Sequence, residues 1–457
     1  MPIAQRGPRV CPDEWMDDRR KSTIGVREPA KAGKNKMSLA VVSLFALFVV
    51  VAVGSFLPVN LGVLSIALAC LVGVVLGGMK LPAVVAGFPA GLFLTLIGVT
   101  LFFSQARVNG TLERVSEVAV GLVRGRVGAI PIVFFLLALV FASIGPGNIA
   151  AVALLAPVAM AAAGRAGVPA FAMAIMVCSG ANAGALSPFA PTGIIANGLL
   201  TKIGLEGAQW TNYISLLVAQ SFVGFAGYFM FGGIRLLSAG NTVAAVRRRG
   251  DHVAPFTWQQ KLTLAMIAFL IVSVLVFKLD ITIGAFIGVA VLSIARGADE
   301  KEALKAIPWS VVLMVCGVTV LIGVAEKTGG MELLTSMLSS LSTQQSITGV
   351  IALVTGVISV YSSSSGVVLP AFLPTIPGLI EKLGGGDARA IASSIIVGAH
   401  LVDVSPLSTL GALCIANAAP DVDRRQLFNR MLAWGLSMCV VGAVVCYVFF
   451  GLMMTSA

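Results

Sequence analysis

Between Met37 and Met79 the chain carries no charged residue, and charge-poor stretches recur to its end. About 20 apolar residues cross the hydrocarbon of a bilayer once, so such segments constrain the fold more than any motif does. The whole chain follows suit: 58% of its 457 residues are apolar and 11% are charged, whereas a water-soluble domain carries about 25% charged residues. This excludes a cytosolic enzyme, a nucleic-acid binder and a secreted disulfide scaffold together. The chain reads as an all-α polytopic membrane protein. Fifty Gly and 20 Pro in this background point to membrane helices that are closely packed or broken.

The net charge of +11 lies mostly in loops, where the positive-inside rule accounts for it. No Lys/Arg run is interleaved with aromatic residues, so no nucleic-acid partner is expected. All Cys except Cys11 fall in apolar segments without metal-ligand spacing, and His252 and His400 are the only histidines. A transition-metal site therefore has too few ligands.

An internal repeat organises the chain. Gly98-Val99-Thr100 recurs as Gly317-Val318-Thr319, an offset of 219, and Pro157 recurs as Pro374, an offset of 217. Gly180-Ala181, Ser187-Pro188 and Gly193 recur as Gly398-Ala399, Ser405-Pro406 and Gly411, all at 218. The expected domains are a polar, disordered tail at 1–36, a first repeat at 37–236, a cytoplasmic linker at 237–259 and a second repeat at 260–453. Each repeat reads as three spans, an amphipathic connector (109–126 or 329–341), a hairpin (127–163 or 345–380), a broken span (168–200 or 388–418) and a last span. Five crossings per half invert the second half relative to the first, the arrangement of inverted-repeat secondary transporters; six would give another symmetry. Under five crossings, sixteen loop Lys/Arg fall on one side. Six fall on the other, namely Lys80, Lys202, Lys278, Lys327, Lys382 and Arg389. That bias places the first hairpin open to the cytoplasm and the second open to the outside.

Polar breaks interrupt the apolar segments in pairs. The hairpin tips are Ser143-Ile144-Gly145-Pro146-Gly147-Asn148 and Tyr361-Ser362-Ser363-Ser364-Ser365-Gly366. The broken spans carry Asn182, Ser187-Pro188, Thr192 and Asn197 in the first half, and His400, Asp403, Ser405-Pro406, Ser408-Thr409 and Asn417 in the second. Pro and Gly free backbone groups from the helical ladder. Half-helix N-termini then favour an anion, while carbonyls and side-chain oxygens can hold Na⁺. The expected substrate-binding residues are Gly147, Asn148, Thr192, Ser364, Ser365 and Thr409. The expected coupling-cation residues are Ser143, Asn182, Ser187, Ser363, Asp403 and Ser405. Asp403 and His400 are the ionisable groups deep in their span, and a carboxylate at that depth needs a proton or a cation.

Gly145-Pro146-Gly147-Asn148 followed by Pro157, with GANAGALSPFAPTGIIANG from Gly180 to Gly198, resembles the malonate/dicarboxylate carrier (MatC-type) family, whose N-terminal signature would span about 38–236. Both halves also resemble the ion transporter superfamily that includes the divalent anion:sodium symporters. Those proteins carry Ser-Asn-Thr at each hairpin tip, upstream of a Pro. The matching positions are Gly147-Asn148-Ile149 and Ser364-Ser365-Gly366, ten residues before Pro157 and Pro374; Asn148 and Ser364 match outright. The resemblance implies a homodimer in which hairpins and broken helices move as an elevator.

The expected function is secondary active transport of small organic anions, C3–C4 dicarboxylates such as malonate, across the inner membrane with Na⁺ or H⁺. No G-x-x-x-x-G-K-[ST] loop is present, so an ion gradient supplies the energy; no cofactor is expected beyond the coupling ion. A Na⁺/H⁺ antiporter or an oxyanion efflux permease is the rival within transporters. An intramembrane hydrolase built on His400, Asp403 and Ser405 is the rival outside them, weakened because positions 403 and 405 do not share a helix face.

Residues 1–36 hold nine Lys/Arg and five acids. The loop count puts this tail outside, yet so basic a tail resists export. Met37 stands directly before the first apolar run, so the expectation is that translation begins there and that 1–36 is an upstream extension or a disordered tail; the rival is a genuine cytoplasmic tail with one span miscounted.

Overall fold

Two matching series of helices run through the computed structural model, which describes residues 30–57, 59–121, 127–238 and 255–453. The first series comprises α1 (Ala30–Phe56), α2 (Leu61–Cys70), α3 (Ala90–Val108), α4 (Thr111–Gly121), α5 (Ala129–Ile144), α6 (Gly147–Ala166), α7 (Ala170–Gly184), α8 (Pro191–Lys202) and α9 (Gln209–Tyr228). The second comprises α10 (Trp258–Leu275), α11 (Ile281–Ile294), α12 (Trp309–Thr328), α13 (Gly330–Ser340), α14 (Ile347–Tyr361), the interrupted α15 (Ser364–Leu383), α16 (Ala388–Leu401), α17 (Thr409–Ala416) and α18 (Arg424–Cys446). Even the short connecting helices correspond, Leu81–Val85 before α3 and Glu300–Ala306 before α12. No strand occurs among the described residues.

Local chemistry sets the ends. Asn60 caps α2 by accepting from the Gly62 amide, and Asp280 caps α11 by accepting from the Thr282 amide at 2.8 Å. Such caps satisfy amides that have no partner within the helix. Gly167, Gly329 and Gly384 end helices in the left-handed region.

The glycines shared by the two halves are packing positions. A methyl group at Gly62 in α2 would collide with the Leu313 carbonyl of α12, and one at Gly317 in α12 with Gly62. The counterpart crossing sets Gly98 of α3 against Phe286 and Gly288 of α11 against Phe102. The second helix of each half thus packs on the third helix of the other half. Thr95–Thr282 at 2.7 Å and Gln105 to Ser293 at 2.9 Å tie α3 to α11 inside an apolar environment. Small residues and cross-helix hydrogen bonds hold helices together where lipid removes the hydrophobic drive. In the same way Gly180 presses on the Phe135 backbone of α5, and Gly398 on the Ala352 backbone of α14.

Seven helical segments among the described residues are long and apolar enough to cross a membrane. They include the second limb of each hairpin, Gly147–Ala166 and Ser364–Leu383, so length permits these limbs either to cross or to return. Ala388–Ala416 buries 94% of its apolar window, against 33% for Arg424–Leu452. The broken span of the second half therefore runs through the interior and the last helix faces outward. Exposed Val75, Phe222, Phe277 and Val440 belong to an apolar exterior suited to lipid.

The expected tail and linker fall largely on 1–29 and 239–254, outside the described residues. Helix α1 begins at Ala30, ahead of Met37 and inside the stretch expected to be tail. Ala and Lys are strong helix formers and let the apolar helix extend toward its N-terminus.

Cys178 of α7 and Cys414 of α17 bring their sulfurs within 3.6 Å, across the two halves. With a protease site placed within 239–254, oxidation by copper phenanthroline followed by cleavage should leave the halves joined on a non-reducing gel. Cys414→Ser should release them; separation of the unsubstituted halves would show that α7 and α17 do not meet.

Candidate functional site

At the second hairpin tip α14 ends at Tyr361 and the chain extends through Ser362 (φ −132°, ψ 171°). The Ser363 hydroxyl then accepts from the Gly366 amide at 3.1 Å and caps a π-helical turn over Ser364–Val368. This turn aims the buried Ser364 at the break in the neighbouring span. Its hydroxyl donates to Asp403 Oδ1 at 2.8 Å, and the Ser359 hydroxyl lies 2.7 Å away. One hydroxyl holds one proton, so Ser359 donates to Ser364 while Ser364 donates to the carboxylate.

Asp403 sits in a single 3₁₀ turn, Val402–Val404, that ends α16. Ser405 is extended before Pro406 (φ −54°, ψ 141°), as the residue before a proline prefers. Ser408 caps α17: its hydroxyl accepts from the Gly411 amide at 3.3 Å and donates to the Asp403 carbonyl, with the Ser405 carbonyl 2.8 Å away. A methyl group at Gly411 would strike the Ser405 carbonyl, and one at Gly193 the Ser187 carbonyl. Both breaks therefore share one backbone geometry.

The first tip is built differently. Gly145 adopts φ 150° beneath the Phe103 ring, where any side chain would collide, and Gly147 adopts φ 81°. These conformations favour glycine. The Asn148 amide donates to Asn182 Oδ1 at 2.8 Å, and Asn182 Nδ2 donates to the His400 carbonyl at 3.2 Å. The same carbonyl receives Gln220 Nε2 at 2.7 Å. Ser187 donates to the Ser143 carbonyl at 2.6 Å, and the Ser143 hydroxyl lies 3.0 Å from Tyr213 Oη. The polar groups of the first half largely satisfy one another.

A cavity of about 280 Å³ opens where these parts meet, close to the lower end of the roughly 300–1,000 Å³ typical of small-molecule sites. Of the sequence-predicted residues, Asn148, Ser363, Ser364, Ser365, Asp403 and Thr409 line it. Gly147, Ser143, Asn182, Ser187, Thr192 and Ser405 do not line it: Asn182 stands behind Asn148, and Ser187 fastens the first tip to its broken span. Thr192 is buried in the first turn of α8, and Ser405 supports the turn that carries Ser408. No Lys or Arg is among the lining residues.

Sequence reasoning overlooked Ser359, Gln220, and Ser310 and Met314 of α12, the last two on the cavity wall. Gln220 carried a usable signal, a lone amide inside an apolar span. Ser310 and Met314 had none, because only the approach of α12 brings them there. The hydrolase constellation is not assembled. Ser405 Oγ accepts from the Leu407 amide, His400 Nδ1 pairs with the Ile396 carbonyl at 2.8 Å, and Asp403 pairs with Ser364.

The fold is shared with solved transporters. The YdaH transporter of Alcanivorax borkumensis aligns with a TM-score of 0.53 at 18% identity, covering 91% of this chain and 98% of that one. MtrF of Neisseria gonorrhoeae, described as illuminating a class of antimetabolite efflux pumps, aligns with a TM-score of 0.51 at 13% identity, covering 90% and 94%. At such identities the likeness is one of fold. No curated protein sequence matches the chain. Residues 37–185 match the family model described as dicarboxylate carrier protein MatC N-terminus, a stretch that contains the first hairpin tip and Asn182. Over that region the chain, a multi-pass membrane protein, is similar to the N-terminus of the MatC dicarboxylate carriers.

Proposed function

We propose that the chain is a secondary active transporter that moves small organic anions, C3–C4 dicarboxylates such as malonate, across the inner membrane with Na⁺ or H⁺. The observation that carries this reading is the cavity where Asn148 of one half meets Ser364, Asp403 and the N-terminal turn of α17 from the other. Hydroxyls and the first turn of a helix offer hydrogen-bond donors to a carboxylate. Asp403 carries the opposite instruction. A dianion beside a carboxylate, with no basic residue on the wall, places like charges together in a poorly solvated space. A cation bound with the substrate offsets that repulsion, and the same requirement couples the anion to Na⁺ or H⁺.

The matched series of helices supports an inverted repeat within the superfamily of the divalent anion:sodium symporters. In this reading the hairpins enter and return, and together with the broken spans they move as an elevator within a homodimer. The fold likeness to a member of an efflux class keeps outward transport of oxyanions as the second reading.

Purified protein in proteoliposomes should take up labelled C3–C4 dicarboxylates when a Na⁺ or pH gradient is imposed, one gradient at a time. Accumulation with neither gradient, or of none of these acids in either direction, would overturn the reading.

A further inference from the structure

The cavity has two kinds of wall. Asn148, Ser364, Asp403 and Thr409 stand on the hairpin tips and the second broken span, whereas the α1–α2 turn and the start of α2 and α12 bring Leu57, Val59, Leu61 and Met314 to it. The apolar wall is fixed in place. A methyl group at Gly62 would strike the Leu313 carbonyl and the Met314 amide, so the backbones of α2 and α12 touch there. Asn60 accepts from the Gly62 amide at 2.9 Å and donates to the Ser310 carbonyl and hydroxyl, each at 3.3 Å. Ser310, a polar side chain on this wall, is thereby tied to the cap of α2.

Met314 reaches across from this wall to the other. It lies four positions beyond Ser310, on the same face of α12, and both residues line the cavity. Its methyl group rests against Gly366 of the second tip, where a side chain on that glycine would collide with it. Apolar surface therefore adjoins the serines that end the second hairpin.

A bare C3–C4 dicarboxylate makes use of the polar wall alone. About 280 Å³ is space for roughly nine water molecules at about 30 Å³ each, and malonate, with three carbons and four oxygens, does not fill it. Water left against Leu61 and Met314 meets apolar surface, and hydrocarbon in its place is favourable. Resting on the proposed function, we infer that the substrate is a C3–C4 dicarboxylate bearing an apolar substituent, such as a 2-alkylmalonate. Its carboxylates meet the hairpin tips and α17 while the alkyl group lies on Leu61 and Met314. Met314 is a specificity-determining residue in this scheme.

Malonate and its 2-methyl, 2-ethyl and 2-propyl derivatives grow by one carbon at a time and keep the same two carboxylates. In proteoliposomes at a pH where all four are dianions, potency against labelled malonate should rise about fourfold per added carbon, so that ethylmalonate competes about tenfold better than malonate or more. Labelled ethylmalonate should also exchange across the membrane, which a mere blocker does not do. Met314→Gln keeps the side-chain length and puts an amide on the wall; the gain across the series should fall to within about twofold. Met314→Leu keeps the wall apolar and should preserve the rise. A flat or falling series in the unsubstituted protein overturns the inference and leaves the apolar wall a surface past which the moving parts slide. A rise that Met314→Gln leaves intact overturns it too, as does ethylmalonate that competes without exchanging. If Met314→Gln does not fold, the unsubstituted series and the exchange of ethylmalonate still decide. Malonate uptake with a flat series sinks this inference alone, whereas uptake of neither malonate nor its alkyl derivatives sinks the proposed substrate as well.

Discussion

Asp403→Asn should abolish gradient-driven net uptake while sparing exchange of substrate across the membrane. The substitution keeps the shape and leaves an oxygen to accept from Ser364, which lies 2.8 Å from Asp403 Oδ1, so the tip remains docked. What disappears is the negative charge. At an effective dielectric of about 20, an ion pair at about 4 Å is worth ~4 kcal/mol, or about a thousandfold in cation affinity. A transporter that needs Asp403 to hold its cation or proton would then carry substrate both ways without coupling. The measurement compares net uptake under imposed Na⁺ or pH gradients with counterflow in preloaded vesicles. Ion dependence unchanged from the parent protein would make Asp403 a structural residue that merely anchors Ser364.

Asn148→Ala should abolish uptake at nearly unchanged yield of folded protein. The Asn148 amide lines the cavity and also donates to Asn182, a fully buried residue whose own amide reaches the His400 carbonyl. Truncation removes a ligand-facing group and orphans a buried acceptor at about 1–3 kcal/mol, up to roughly a hundredfold in binding. Gln220 still holds the His400 carbonyl, so the crossing of the halves survives. Uptake near that of the parent protein would remove Asn148 from the site. Loss of folded protein together with uptake would make its role one of packing.

The fold was legible in the sequence to the extent that its cause is local. Bilayer hydrocarbon penalises every unpaired backbone group and every charge, so charge-free runs announce helices without any knowledge of their neighbours. The two hairpin tips were legible because Gly145 and Pro146 in one, and the run Ser362–Ser365 in the other, interrupt otherwise apolar stretches. The repeat was legible because Gly180 and Gly398, like Gly193 and Gly411, each meet a backbone in equivalent places. No larger residue fits, and the spacing therefore persists in both halves.

The site was half legible. Residue types marked Asn148, Ser364 and Asp403, and the fold joins them at one cavity. The same reasoning treated Ser143, Asn182 and Ser187 as equals of their second-half counterparts, whereas these residues hydrogen-bond one another or the His400 carbonyl. Asn182 and His400 hold corresponding positions in the two halves; one bridges to the other's backbone, while the other has a free ring nitrogen.

The sequence by itself determined the membrane class, the doubled helix order and the positions of the breaks, because each follows from hydropathy, Pro and Gly acting within a few residues. Only the tertiary structure decided that α2 packs on α12 and α11 on α3, that the first tip brings Asn148 to the cavity while Ser143 is held by Ser187, and that the second tip lines the cavity with its serines. Those outcomes depend on which helices approach one another, and on which donors find acceptors when they do. Contacts between residues some two hundred positions apart leave no periodicity for a local reading to detect.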